Sequence, residues 1–308
     1  MLRYRLLAAV LGLPLLIALL WLNYAFRIIG SPDDFPLLFV MLLIAGASGW
    51  EVSNVVRHRY PEASPWNGVY AALILPFIVH AIRLATVNGV AVPVSTAGLL
   101  IDSLGSTAAL MLLFLGIWSD IENRGGQGIR ENIIVLLSGV YLGVAFASLL
   151  LLGQTSFHEI AVAFVLVLVF GLDTVAYFGG KTFGGPPLAP HISPSKTVSG
   201  AVCGLLGALV LALLVKAVPL FIGLSGTAWW NIGAALSWGE MLWMGFTIGI
   251  LGQIGDLVES YLKRWGGVKD SGTILPGHGG FLDRFDSLLL AAPAYYLLLI
   301  HFLHVPVK

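Results

Sequence analysis

The sequence predicts an all-α polytopic membrane protein of about nine transmembrane helices with its N-terminus in the cytoplasm. Hydrophobic residues make up 58% of the chain and charged residues only 10%, against about 25% charged in a typical soluble domain. Mean hydropathy is +0.92. The apolar residues are gathered into stretches near the roughly 20 residues that a helix needs to cross a bilayer.

Those stretches run about Leu6–Leu22, Phe35–Val56, Asn67–Ile82, Ala97–Trp118, Asn132–Gly153, Ile160–Phe178, Val198–Ile222, Met241–Leu262 and Phe285–His304. Backbone amides in hydrocarbon must bond within their own segment, which makes these helices. Barrel strands would alternate in polarity, and the segments do not. Met1-Leu-Arg-Tyr-Arg5 ahead of the first run resembles a leader, but no clear small-x-small cleavage site follows, so an uncleaved helix is expected. Residues 1–155 are read as N-terminal transmembrane helices and 156–308 as a C-terminal transmembrane catalytic region with its site on the cytoplasmic face.

Loop charge sets the orientation. With the N-terminus inside, Arg3, Arg5, Arg57, Arg59, Arg124, Arg130, Lys181, Lys196, Lys263, Arg264, Lys269 and Arg284 all lie inside. Only Arg27, Arg83 and Lys308 lie outside, and Lys216 falls within a helix. That bias obeys the positive-inside rule. It places the site against the cytoplasm, where nucleotides are available, in what is expected to be a bacterial inner membrane.

Lys and Arg total 16 and Asp and Glu total 16, so charge gives no sign of a nucleic-acid partner. A single cysteine, Cys203, rules out an internal disulfide and a multi-cysteine zinc site. Its apolar neighbours read as core packing. The Gly/Pro-rich run Gly179–Pro190 is expected to end the preceding helix. Helices rich in Gly, Ala and Ser can pack against a partner, which leaves a homodimer open without fixing the oligomeric state.

The polar residues concentrate between Ser260 and Asp286, which hold Lys263, Arg264, Lys269, Asp270, His278, Asp283, Arg284 and Asp286. Charge inside a membrane protein is costly and is usually functional. Asp256, Ser260 and Lys263 stand at i, i+4 and i+7 on one helical stripe, with Glu259 beside them. Glycines around His278-Gly279-Gly280 expose amides where phosphate can approach a helix N-terminus. Lys263, Arg264, Lys269 and Arg284 add charge-assisted donors. Asp283 and Asp286, three apart, can face one point with Asp256 from the adjoining helix, a hard-oxygen set suited to Mg²⁺. Upstream, Asp173 is a lone carboxylate in an apolar helix, and Ser193-Pro-Ser-Lys196-Thr offers hydroxyls and a cation to phosphate or ribose.

Other motifs fail. Gly180-Lys-Thr182 lacks the P-loop glycine five residues earlier, where Val175 stands. His158-Glu159 lacks the second histidine of a zinc protease, Val162 occupying its place.

The spacing Ser260-x-Leu-Lys-Arg-x4-Lys-Asp-x-Gly-x2-Leu-Pro-x-His-Gly-Gly-Phe-x-Asp-Arg-Phe-Asp286 resembles that of the phosphatidate cytidylyltransferases at every fixed position. A looser likeness covers Asp173-x-x-Ala-Tyr177, Phe183-Gly184 and Ser193–Thr197. There Ser195 stands for the family's lysine and Ser199 for its glutamate. The resemblance spans roughly residues 160–300 and implies a reaction. A phosphatidic acid oxygen attacks the α-phosphorus of CTP, pyrophosphate leaves, and CDP-diacylglycerol forms among membrane lipids. It implies Mg²⁺ at Asp256, Asp283 and Asp286, with a second, monovalent cation as a further possibility. Lys263, Asp283, Arg284 and Asp286 would be catalytic. Asp173, Ser193, Lys196, Ser260, Arg264, Lys269, Asp270, His278, Gly279 and Gly280 would bind substrate. His278 fits phosphate positioning better than base catalysis, because the attacking phosphate is already ionised. The changed Ser195 and Ser199 leave open a cytidylyltransferase for another lipid phosphate. An ion-coupled transporter using Asp173, Asp256 and Lys216 is the more distant alternative.

Overall fold

The computed structural model describes residues 35–87, 129–153, 158–223, 233–274 and 279–302. The described chain is mostly helical. In order come α1 (Phe35–Arg59), α2 (Asn67–Val87), α3 (Ile129–Leu152), α4 (His158–Phe183), β1 (Pro187–Ala189), β2 (Ser193–Thr197), α5 (Val198–Phe221), α6 (Trp238–Trp265), α7 (Leu282–Phe285) and α8 (Leu288–Leu297), which runs on into a π-helical turn, Leu298–Phe302. Among the described residues, five helices are long and apolar enough to cross a membrane: α1, α3, α4, α5 and α6. The expected segments Leu6–Leu22 and Ala97–Trp118 lie outside the described residues. Along α5, Val202, Leu206, Val210, Leu214 and Val218 form an exposed apolar stripe of four-residue period. A lipid-facing helix shows such a stripe, whereas a soluble protein would hide it.

Three expectations differ from what is observed. The chain is not wholly helical, because Pro187–Ala189 and Ser193–Thr197 pair as an antiparallel ribbon, with Pro187 opposite Thr197 and Ala189 opposite Ser193. The Gly179–Pro190 run does not stop α4 at its first glycine. Gly179 and Gly180 remain helical because α5 presses against them, and a Cβ on Gly179 would stand 2.3 Å from that of Cys203. The segment expected as one helix over Phe285–His304 is broken at Asp286–Ser287.

By its packing the chain forms two units. The first holds the described residues up to Leu150 together with Leu262–Phe285. Here α1 and α2 cross through Gly49 and Gly68. A Cβ on Gly68 would fall 2.4 Å from both the Gly49 carbonyl oxygen and Ser53 Oγ. The Gly68 N–H donates to Ser53 Oγ at 3.2 Å. Small residues that let backbones approach are the usual device where lipid removes the hydrophobic drive between helices. Val56, Ala63 and Val135 form a buried cluster under Tyr60, Ile134 and Trp265. Arg59 donates to the Trp265 carbonyl at 3.0 Å and lies over that indole at 5.1 Å. We expect Gly68→Ala to cost about 1–3 kcal/mol by overpacking. Gly46→Ala, whose Cβ would meet nothing nearer than flexible Leu73 at 3.8 Å, should be tolerated. Thermal unfolding in detergent compares the two.

The second unit holds Leu151–Tyr261 and the residues from Asp286 onward. Helices α4 and α5 pack along their length, joined by the ribbon. Thr197 ends β2 and caps α5. Its backbone is extended and its Oγ1 accepts from Gly200 N–H at 3.1 Å. Ser237 and Glu240 open α6 as a reciprocal capping box. Ser237 N–H reaches Glu240 Oε2 at 2.6 Å, and Glu240 N–H reaches Ser237 Oγ at 3.2 Å. Phe164 stacks on Tyr295 at 5.2 Å, tying α4 to α8.

Candidate active site

In the second unit, α6 places Asp256 and Glu259 three residues apart, on one face. Asp286 enters from the junction just before α8. One carboxylate oxygen from each of the three lies within 4.8 Å of the others. Glu259 is only 2% exposed. Three carboxylates this close repel one another in a poorly solvated setting. Asp286 stands outside the described spanning helices. Burial first, then the charges of Asp256, Glu259 and Asp173, hold its carboxyl well above the usual carboxylate range. Lys196, carried by β2, brings its ammonium to 2.5 Å from Asp256 Oδ1. Ser287 donates its N–H to Asp286 at 2.7 Å and its hydroxyl to Asp173 at 3.2 Å. Asp173, Lys196, Asp256 and Asp286 are thus gathered in one neighbourhood of this unit. Ser260 is buried one residue beyond Glu259, and Ser193 sits in the ribbon.

Ser199, where the resemblance led us to expect a glutamate, donates its hydroxyl to the Gly184 carbonyl and lies 3.0 Å from Thr197 Oγ1. It ties the end of α4 to the start of α5, beside the strand that carries Lys196.

In the first unit, Lys263 Nζ is 2.6 Å from Asp283 Oδ1, and the two side chains are only 12% and 6% exposed. Asp283 also accepts from Ser271 N–H at 3.0 Å, Ser271 Oγ at 3.0 Å and Gly280 N–H at 2.8 Å. Its carboxylate therefore ties the segment together as well as pairing with the lysine. Asp283 belongs to this network, and Glu259 is the residue that stands with Asp256 and Asp286. Arg264, Lys269, Asp270 and Arg284 are exposed, with Arg264 donating to the Val268 carbonyl at 3.2 Å. Gly279 takes a positive φ of 79° and Gly280 is buried. His278 lies outside the described residues.

Two participants were not singled out in the sequence. Ser271 is buried between Glu51 and Asp283. Glu51, buried in α1, accepts from Phe281 and Leu282 N–H groups at 3.0 and 2.8 Å. The signal for Glu51 was present: it is a carboxylate in an apolar helix, the criterion that marked Asp173.

The model of the Cytidylyltransferase family matches residues 3–302. The chain belongs to the cytidylyltransferase family. Among its relatives is a phosphatidate cytidylyltransferase of Brucella abortus biovar 1 (strain 9-941), 42% identical over 158 residues, which are 51% of this chain and 53% of the relative. The namesake from Staphylococcus saprophyticus is 35% identical over 66% of this chain and 73% of its own length. That from Staphylococcus aureus (strain COL) is 36% identical over 62% and 68% respectively. The chain thus spans about half the length of the Brucella relatives and more of the staphylococcal ones. In this cytidylyltransferase-family chain the matched region takes in both carboxylate networks.

Proposed function

We infer that the chain is a CTP:phosphatidate cytidylyltransferase of a bacterial inner membrane, with its site open to the cytoplasm. The observation that carries this is the meeting of Asp256, Glu259 and Asp286 beside Lys196. Three crowded carboxylates repel one another, and a divalent cation relieves them. Their all-oxygen chemistry fits Mg²⁺, which takes a few carboxylates and completes its shell with water and substrate phosphate. Bound there, Mg²⁺ would neutralise triphosphate charge. We assign its holding to these three residues.

The reaction needs little acid–base chemistry. An oxygen of the ionised phosphatidate attacks the α-phosphorus, and the bond from that phosphorus to the bridging oxygen breaks. The electron pair leaves with pyrophosphate. The protein's part is positioning and charge. Lys196 is placed to meet a phosphate oxygen where Asp256 orients it. Lys263, Arg264, Lys269 and Arg284 offer positive charge to match the negative charge that a triphosphate and a phosphomonoester bring. The apolar helices admit acyl chains from the bilayer.

Lys216, an element of the transporter reading, is occupied structurally. It donates to the Gly233 and Leu236 carbonyls and lies 5.1 Å over the Trp238 ring. The test is purified protein in mixed micelles with phosphatidate, CTP and Mg²⁺. One pyrophosphate should appear per CDP-lipid, and both should vanish when Mg²⁺ is chelated. A polyprenyl phosphate turning over in place of phosphatidate would redirect the assignment to that lipid, and solute uptake with no CTP-dependent product would overturn it.

A further inference from the structure

Glu51 lies within α1, is 1% exposed, and is surrounded in sequence by an apolar helix. A carboxylate is costly to bury unless its oxygens are satisfied. Here the donors come from a segment more than two hundred residues away in sequence. Oε1 accepts from Phe281 N–H at 3.0 Å and Oε2 from Leu282 N–H at 2.8 Å. Ser271 Oγ lies 3.2 Å from Oε2 and 3.0 Å from Asp283 Oδ2, so one hydroxyl hydrogen serves two carboxylates. The segment is shaped to admit Glu51. A Cβ on Gly272 would stand 2.6 Å from Oε1, and one on Gly280 would stand 2.4 Å from both oxygens.

We propose that Glu51 is a positioning residue for the cytidylyl transfer, pinning Ser271 and the Phe281–Asp283 stretch and through them fixing the Lys263–Asp283 pair. This rests on the functional reading above. An ionised carboxylate is an acceptor only, which matches the two amides and the hydroxyl that point at it. A glutamine there would turn an NH₂ toward one of those N–H groups. An aspartate would keep the charge and lose the reach. Glu51 acts on the reaction through Ser271 and Asp283.

The experiment pairs steady-state kinetics with trypsin cleavage after Arg284, followed by mass spectrometry on detergent-purified protein. In Glu51→Gln, kcat per folded molecule should fall about 10- to 100-fold, the range for groups that orient a functional ligand. Cleavage after the exposed Arg284 should speed up about tenfold or more, as expected when charged hydrogen bonds holding a segment are lost. Glu51→Asp should show both changes, since reach matters more than charge. Gly272→Ala leaves α1 unaltered, displaces the Glu51 carboxylate and should reproduce both effects; it decides the matter if Glu51→Gln fails to insert. Unchanged kcat in the folded fraction, with only the yield reduced, would make Glu51 merely structural and overturn the proposal. So would unchanged cleavage in Gly272→Ala. A wild-type chain without CTP-dependent turnover would instead overturn the functional reading, and the cleavage rates would still show whether Glu51 holds the segment.

Discussion

Asp286→Asn should lower CTP-dependent formation of CDP-lipid by about 10²- to 10³-fold, the loss typical of removing one preorganised electrostatic contact. The substitution conserves shape and removes one of three carboxylate charges that lie within 4.8 Å of each other. Like charges at that range destabilise a protein in the absence of a cation. The variant should therefore fold and insert normally, and its thermal midpoint without Mg²⁺ should equal or exceed that of the wild type. Activity falls while stability holds or rises, which a structural role for Asp286 would not produce. Pyrophosphate release and a melting curve in detergent, with and without Mg²⁺, give both readings.

Asp283→Ala should have the opposite stability sign. Its carboxylate pairs with Lys263 at 2.6 Å, with both side chains largely buried. It also takes N–H groups of Ser271 and Gly280. Removing it leaves a buried ammonium with its counter-ion gone and two amides short of an acceptor. Breaking a buried pair from one side costs about 3–5 kcal/mol. The thermal midpoint should fall with Mg²⁺ present or absent, and turnover should be lost. Replacing both partners by apolar residues, Lys263→Met with Asp283→Leu, should recover much of the stability without recovering activity. Two aspartates three residues apart are thus expected to differ in the sign of their effect on folding.

That difference could not be read from spacing. The pattern from Ser260 to Asp286 located the chemistry, and the apolar runs located α1, α3, α4, α5 and α6, because membrane helices must satisfy their own backbone. Spacing alone placed Asp283 and Asp286 on one helical face. The helix is instead interrupted at Asp286–Ser287, where Ser287 N–H turns to the Asp286 carboxylate and its hydroxyl to Asp173. Side chains that bond locally to the backbone compete with a helix in this way. Pro293 further weakens the segment as a continuous helix. The ribbon was hidden for another reason. Its strands are three and five residues long and contain prolines, with no alternation to mark them. Val198 N–H bonding to the Pro186 carbonyl helps close it. Glu51 and Ser271 stand 220 residues apart, so their meeting is a tertiary fact, although the lone carboxylate in α1 was visible. Glu259 was visible too, beside the stripe of Asp256, and only the fold shows it turned toward Asp286.

On this assignment Asp256, Glu259 and Asp286 together hold a divalent cation. Mn²⁺ titration of the detergent-purified chain, followed by electron paramagnetic resonance, tests it without reference to turnover. A saturable site is expected, which Asp256→Asn, Glu259→Gln and Asp286→Asn each weaken. Mn²⁺ binding unchanged in all three variants, or weakened only by Asp283→Asn, would contradict it.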